Sequence, residues 1–250
     1  MNFCIVNYLF HYICIFYKND VMKLFLSCEH GGNQVPEKYN YLFENSYELL
    51  NSHNGYDNGA LELFKILQTI ENVEFSICNE ITRLLVDCNR SITRPTLFSA
   101  FTKRLNKKEK HTILESYYYP YRNKFRKKLN DFVFRGDSVF HISVHAFAPE
   151  VDGKVRDADI GLLFNPNHGI EQWIGLYWRR ILQRIFPDLK IRLNYPFMGT
   201  PDGMVAPLRK EFNKKYAGFE LEMNSKHAGN IMIYNGIKES VEKLLKLIEF

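Results

Sequence analysis

Nucleotide-binding loops, serine-nucleophile elbows and closely paired cysteines are all missing from this chain, and each absence removes a class of function. There is no Gly-x-Gly-x-x-Gly and no P-loop, so a nucleotide site has no motif behind it. There is no Gly-x-Ser-x-Gly elbow, which withdraws sequence support for a serine hydrolase. The five cysteines (Cys4, Cys14, Cys28, Cys78 and Cys88) are odd in number and widely spaced. That pattern argues against a disulfide framework and for reduced thiols, hence a cytoplasmic protein. None of them has the spacing of a cysteine zinc site. Zinc-finger, helix-turn-helix and ribonucleoprotein signatures are absent, so no nucleic-acid partner is expected.

Long apolar runs are also scarce. The one at residues 3–17 is apolar and aromatic but short for a membrane span. It lacks the early positive charge and small-residue cleavage site of a signal peptide. Residues 1–21 therefore read as a start-site extension or a peripheral strand, with a membrane anchor as the alternative. Residues 22–250 read as the functional domain, with no membrane partner expected.

What is present describes a folded domain. Hydrophobic residues make up 46% of the 250 and charged residues 24%, a globular balance that excludes a disordered chain. The net charge is +5, and much of it lies in residues 103–128. That stretch reads either as a solvated helical face or as a lure for an anionic substrate. Strand-like runs fall at 22–28, 73–79, 83–88, 138–145, 159–164, 189–195 and 217–223. Helical spacing covers 46–71, 109–132, 170–186 and 236–249. The alternation predicts a single α/β domain with a mixed, mostly parallel sheet flanked by helices.

Histidines at strand ends carry the chemistry. His30 closes the run Lys23–Cys28 and is followed by Gly31-Gly32; His145 closes Val139–Val144 and is followed by Ala-Phe-Ala-Pro. Strand ends beside glycine or proline are where open α/β sheets place ligands. A catalytic zinc wants about three His, Glu or Asp ligands and an open position. His30 and His145 are the first two candidates. Asp57 is the third, with an N-cap as its other reading; Glu29 is the alternative ligand. His141 shares a strand face with His145, as a supporting residue or as core. Glu222 is the candidate general base. It shares a face with Glu220 in an apolar run, where the other reading is a solvent-facing edge pair. Arg83, Asn89 and Arg90 are candidates to bind a substrate carboxylate, against the alternative of an Asp87–Arg90 surface pair. Thr200–Gly203 reads as a tight turn.

Taken in order, several segments resemble one family. They are Ser27-Cys28-Glu29-His30-Gly31-Gly32 with Pro36, Tyr56-Asp57 with Gly59-Ala60, and Arg83-Leu84 through Asp87 with Asn89-Arg90. Ser143-Val144-His145-Ala146-Phe147 with Pro149, Asp159–Leu163, and Glu220–Asn224 continue the series. Over about residues 22–225 the chain resembles the N-formylglutamate amidohydrolases, relatives of zinc carboxypeptidases and of the succinylglutamate desuccinylase and aspartoacylase group. The resemblance implies a phosphorylase/hydrolase-like fold and zinc-dependent hydrolysis of an N-acyl amide. It maps His30 and His145 to zinc histidines, Glu222 to the catalytic glutamate and Asn89-Arg90 to a carboxylate clamp. The carboxypeptidase His-x-x-Glu pair is broken here by Asn33, which is why Asp57 enters as a ligand. The expected partner is a small anionic N-acyl amino acid such as N-formylglutamate. Two rival readings are a metal-dependent peptidase or deacylase on a peptide or cell-wall substrate, and a binding protein that keeps the fold without catalysis.

Overall fold

Strand periodicity decides which residues meet. The computed structural model describes residues 22–71 and 73–248; the reading given for 1–21 falls outside the described residues. The described residues form eight strands: β1 (Met22–Cys28), β2 (Val73–Cys78), β3 (Ser138–Phe147), β4 (Glu150–Val151), β5 (Lys154–Val155), β6 (Ile160–Leu163), β7 (Ile191–Leu193) and β8 (Tyr216–Asn224). Six form one sheet in the order β2-β1-β3-β8-β6-β7. β2, β1, β3 and β8 are parallel, β6 is antiparallel to β8, and β7 is parallel to β6. β4 and β5 make a separate two-stranded ribbon.

Alternation along the strands gives the sheet two unlike faces. Leu24, Leu26, Phe140, Ile142, Val144, Phe219, Leu221 and Met223 point one way, into the main core. That core is closed by α1 (Ala60–Leu67), α4 (Gly169–Ile185) and α6 (Ile231–Ile248), as the helices' apolar stripes demand. On the other face Phe25, Val139 and Tyr216 pack under α3 (Tyr119–Phe134) and α5 (Val205–Phe212). The same face carries Ser27, His141, Ser143, His145, Glu220 and Glu222, all buried. A polar stripe thus runs up the middle strands to their C-terminal ends.

Three local expectations are corrected. Residues 83–88 form turns, not a strand: Leu85 and Val86 bury into a satellite cluster with Tyr39, Phe43 and Leu97 and join no ladder. The 46–71 helix is broken into a single turn at Tyr47–Leu50 and α1, because the chain folds back at Gly55 against the Leu50 backbone. The last helix begins at Ile231, five residues early, because Asn230 Oδ1 caps it by accepting from the Met232 and Ile233 N–H groups. The basic stretch is helical, as α2 (Lys107–Ile113) and α3 joined by one π-turn before Pro120. Its Lys124, Arg126 and Lys127 are exposed and line no part of the cavity described below. Among the described residues no helix is long and apolar enough to cross a membrane.

One buried ion pair locks α4 to α5 and β8. Glu171, fully buried, accepts from Arg209 Nε at 2.8 Å, from the Gly218 N–H at 2.9 Å and from the Asn165 N–H at 2.8 Å. Arg209 also donates to the Gly199 and Gly218 carbonyls. Arg209→Met strands a buried carboxylate, so urea unfolding should show a loss of about 3–5 kcal/mol. Burial opposes the Glu171 charge, yet His168, Arg209 and the Gly218 N–H hold its pKa below the ordinary value. A depressed carboxylate contributes stability above its unfolded pKa of about 4.3 and loses it as pH falls below that. The Arg209→Met penalty should therefore shrink in acid.

Candidate active site

His30 is placed by its glycines. The Gly31 N–H donates to the Asn79 carbonyl at 3.0 Å, and a Cβ on Gly32 would lie 2.5 Å from the Glu80 carbonyl oxygen. Only a bare backbone can turn there against the end of β2, and the turn leaves His30 at the tip of β1. The Asp57 N–H donates to the His30 carbonyl at 2.9 Å, which draws the loop before α1 over the strand ends. His145 stands near the end of β3, and Glu222 pairs with it in register on β8.

These residues meet around one oxygen. Asp57 Oδ2 lies 2.8 Å from His145 Nδ1 and 3.4 Å from His30 Nδ1. Candidate ligand atoms from His30, Asp57 and His145 lie within 4.8 Å of one another, and all three residues are buried. Each imidazole is gripped from behind. His30 Nε2 is 2.7 Å from Asp87 Oδ1. His145 Nε2 is 3.0 Å from Glu29 Oε2 and 2.9 Å from Ser143 Oγ. Tyr121 donates to the other Glu29 oxygen at 2.8 Å, and Ser143 also bonds Glu29. Metal-binding histidines commonly give their second N–H to a carboxylate in this way, which turns the remaining nitrogen toward the metal.

Charge balance points the same way. Glu29, Asp57, Asp87, Glu220 and Glu222 are all buried carboxylates. Arg83 is the guanidinium among them, with Nη1 3.0 Å from Asp57 Oδ1 and Nη2 3.4 Å from Asp87 Oδ2. Burial resists ionisation of Asp87 and Asp57, but His30 and Arg83 pull both well below the carboxylate range. Burial likewise disfavours a charged His145, yet Asp57 and Glu29 on its two sides raise its pKa well above normal. Glu222 has less relief. Burial pushes its pKa up to about 7, with Asp57 and Glu220 adding to the effect against His145 and Arg83. Its Oε2 atom is buried without a hydrogen-bond partner. Two imidazole nitrogens and one carboxylate oxygen, inside an excess of buried negative charge, suit a zinc ion with an open fourth position.

All seven sequence-predicted site residues line one cavity of about 660 Å³. His30, Asp57, His145 and Glu222 form its floor. Arg83 is tied to the two aspartates. Asn89 is buried, with Oδ1 accepting from the Met204 N–H at 2.6 Å and Nδ2 3.3 Å from His145 Nε2 and 3.5 Å from Glu220 Oε1. Arg90 is the most exposed of the three, its side chain 34% exposed, its Nη1 donating to the Asn89 carbonyl at 3.0 Å and its nearest carboxylate, Asp87, 3.9 Å away. The alternatives weighed for these positions fall away. α1 is capped at Gly59 without a side-chain bond, so Asp57 is no N-cap. β8 is internal to the sheet, so Glu220 and Glu222 are no edge pair. Asp87 does pair with Arg90 at 3.9 Å, but its carboxylate is buried and bonds His30 more closely, at 2.7 Å, so the pair is not a surface one. His141 spends both nitrogens on Ser27 and Tyr216, and burial pushes its pKa down to about 3, a core histidine. The 200–203 turn packs onto the site: a Cβ on Gly203, at φ +109°, would lie 2.6 Å from Glu220 Oε1.

Asp87 and Glu29 were not assigned their supporting roles from sequence. The available signal was Glu29, adjacent to His30 in the chain; Asp87 has no comparable one.

The family model for N-formylglutamate amidohydrolase matches residues 22–228. The chain belongs to the N-formylglutamate amidohydrolase family. Among solved structures, the chain resembles gene product Atu2144 from Agrobacterium tumefaciens at 22% identity and a TM-score of 0.76, covering 92% of this chain and 93% of that one. It resembles N-formylglutamate amidohydrolase from Ralstonia eutropha JMP134 at 12% identity and a TM-score of 0.67, covering 92% and 95%. At these identities both show a shared fold. No curated protein matches the chain.

Proposed function

We propose that this amidohydrolase cleaves the amide bond of a small anionic N-acyl amino acid, of which N-formylglutamate is the model, with zinc held by His30, Asp57 and His145. The observation that carries the reading is the convergence of both Nδ1 atoms on Asp57 Oδ2, with Asp87 and Glu29 behind the rings. A bound zinc supplies Lewis acidity, lowering the pKa of water and polarising the acyl carbonyl. Asp87 and Glu29 keep the two imidazoles oriented, so the donor set is preorganised.

Glu222 moves the proton. Its unpartnered oxygen leaves it free to accept a proton from water, and a bound cation nearby would favour its ionised form. Oxygen adds to the acyl carbon, the C–N bond breaks, and Glu222 returns the proton to the leaving nitrogen. The products are the acyl acid and the free amino acid. Arg90 holds the substrate carboxylate, because its guanidinium lines the cavity part-exposed and with no carboxylate closer than 3.9 Å, with Asn89 beside it and Arg83 fixing Asp57.

Incubating the zinc-loaded protein with N-formylglutamate and assaying formate and free glutamate tests the reading. Release that stops on adding a chelator supports it; no release from any N-acyl amino acid sinks it. Arg90→Ala should raise KM by ~10–100-fold with little change in kcat, since a charged hydrogen-bonding contact is worth about 1.5–3 kcal/mol. A variant whose kcat falls while KM holds would contradict that role.

A further inference from the structure

The cavity is large and two-sided. Its 660 Å³ lies in the range of pockets that take drug-sized ligands, ~300–1,000 Å³. A one-carbon acyl group on a single amino acid leaves most of that space unfilled. Sheet order separates the two walls. Arg83, Asn89 and Arg90 stand on the loop that follows edge strand β2. Phe147 ends β3, Ala148 and Val151 come just after it, and Pro196, Phe197 and Met198 follow β7 at the opposite edge. His145 and Glu222, on the middle strands, lie between.

The second wall is mostly apolar, with Arg156 and Asn194 as its polar members. Phe197 and Met198, adjacent in the chain, are 45% and 51% exposed and both line the cavity, an apolar patch rather than a lone side chain. The Arg156 guanidinium sits 4.9 Å from the Phe197 ring and 6.0 Å from the Phe147 ring, joining the two rings into one surface. Ala146 and Ala148 are small and leave room between this surface and the metal ligands. An amide that spans the site with its carboxylate at Arg90 sends its acyl group to this wall.

We infer that the substrate carries a bulky apolar acyl group, an alkyl chain of several carbons or an aromatic ring, seated on Phe147, Val151, Phe197 and Met198. The inference rests on the hydrolase reading above and refines its acyl group. Water adds to the acyl carbon, the C–N bond breaks, and a fatty or aromatic carboxylic acid leaves with the amino acid.

The test is a panel of N-formyl-, N-acetyl-, N-hexanoyl- and N-benzoyl-glutamate on the zinc-loaded full chain and on its Phe197→Ser and Met198→Ser variants. In wild type, kcat/KM for the hexanoyl or benzoyl substrate should exceed that for formyl by about tenfold or more, the scale of added apolar contacts in a pocket. Each variant should reduce that preference several-fold. A wild type that prefers formyl overturns the bulky-acyl inference and leaves the hydrolase reading standing. Preference unchanged in both variants overturns the assigned wall. Cleavage of none of the four overturns both readings.

Discussion

Glu222→Gln is expected to lower kcat by ~10²–10⁴-fold, the usual yield of a positioned general acid–base group. Zinc content should stay that of wild type, because the proposed ligands are His30, Asp57 and His145. The substitution is nearly isosteric, and Glu222 Oε2 has no hydrogen-bond partner to lose. The fold therefore has little reason to suffer. In metal-free protein the change should even be mildly stabilising above pH 7, where burial and the neighbouring Asp57 and Glu220 work against the ionised side chain. The decisive readout is the split between turnover and metal content. A Glu222→Gln enzyme within a few-fold of wild-type kcat would remove Glu222 from the chemistry. One that has also lost its zinc would make Glu222 a ligand instead.

Much of this arrangement was legible because strand alternation has period two. Reading His145, His141 and Ser143 onto one face of an apolar run needs no coordinates, and Glu220 with Glu222 follows the same rule. The sheet class followed from the alternation of runs, and the ends of most strands and helices fell within a few residues. What failed was local. Residues 83–88 have strand-like composition, but their apolar side chains are claimed by a satellite cluster that joins residues distant in sequence. Gly55 and Asn230 set helix ends through single backbone contacts that hydropathy does not register. The supporting carboxylates were the larger omission. Asp87 touches His30 across 57 positions, and Tyr121 reaches Glu29 across 92. Such pairs depend on loop paths, and one sequence holds no periodic trace of them. Asn89 illustrates the same limit: its residue type suggested a substrate contact, while its amide is largely engaged by Met204, Glu220 and His145.

Asp57→Ala and His145→Ala should each reduce bound metal from about one zinc per chain to a small fraction of that, together with activity. Asp57 has the greater leverage, since its Oδ2 atom is near both Nδ1 atoms while Oδ1 anchors Arg83. Thermal unfolding gives an independent reading. Zinc at a hundredfold excess over its Kd adds about 2.7 kcal/mol to the folded state. For a chain of this size that corresponds to a rise in Tm of roughly 5–10 °C. Wild type should show this rise when zinc is added to metal-free protein, and the two ligand variants should not. Glu29→Gln separates ligation from support. It leaves all three ligands in place but weakens the grip on His145 Nε2, so metal affinity should fall by ~10–100-fold without disappearing. If instead metal-free wild type takes up no zinc and its Tm does not move, the cluster is a buried polar network. In that case the raised pKa of His145 reflects a proton held between Asp57 and Glu29, occupying the place assigned here to the cation.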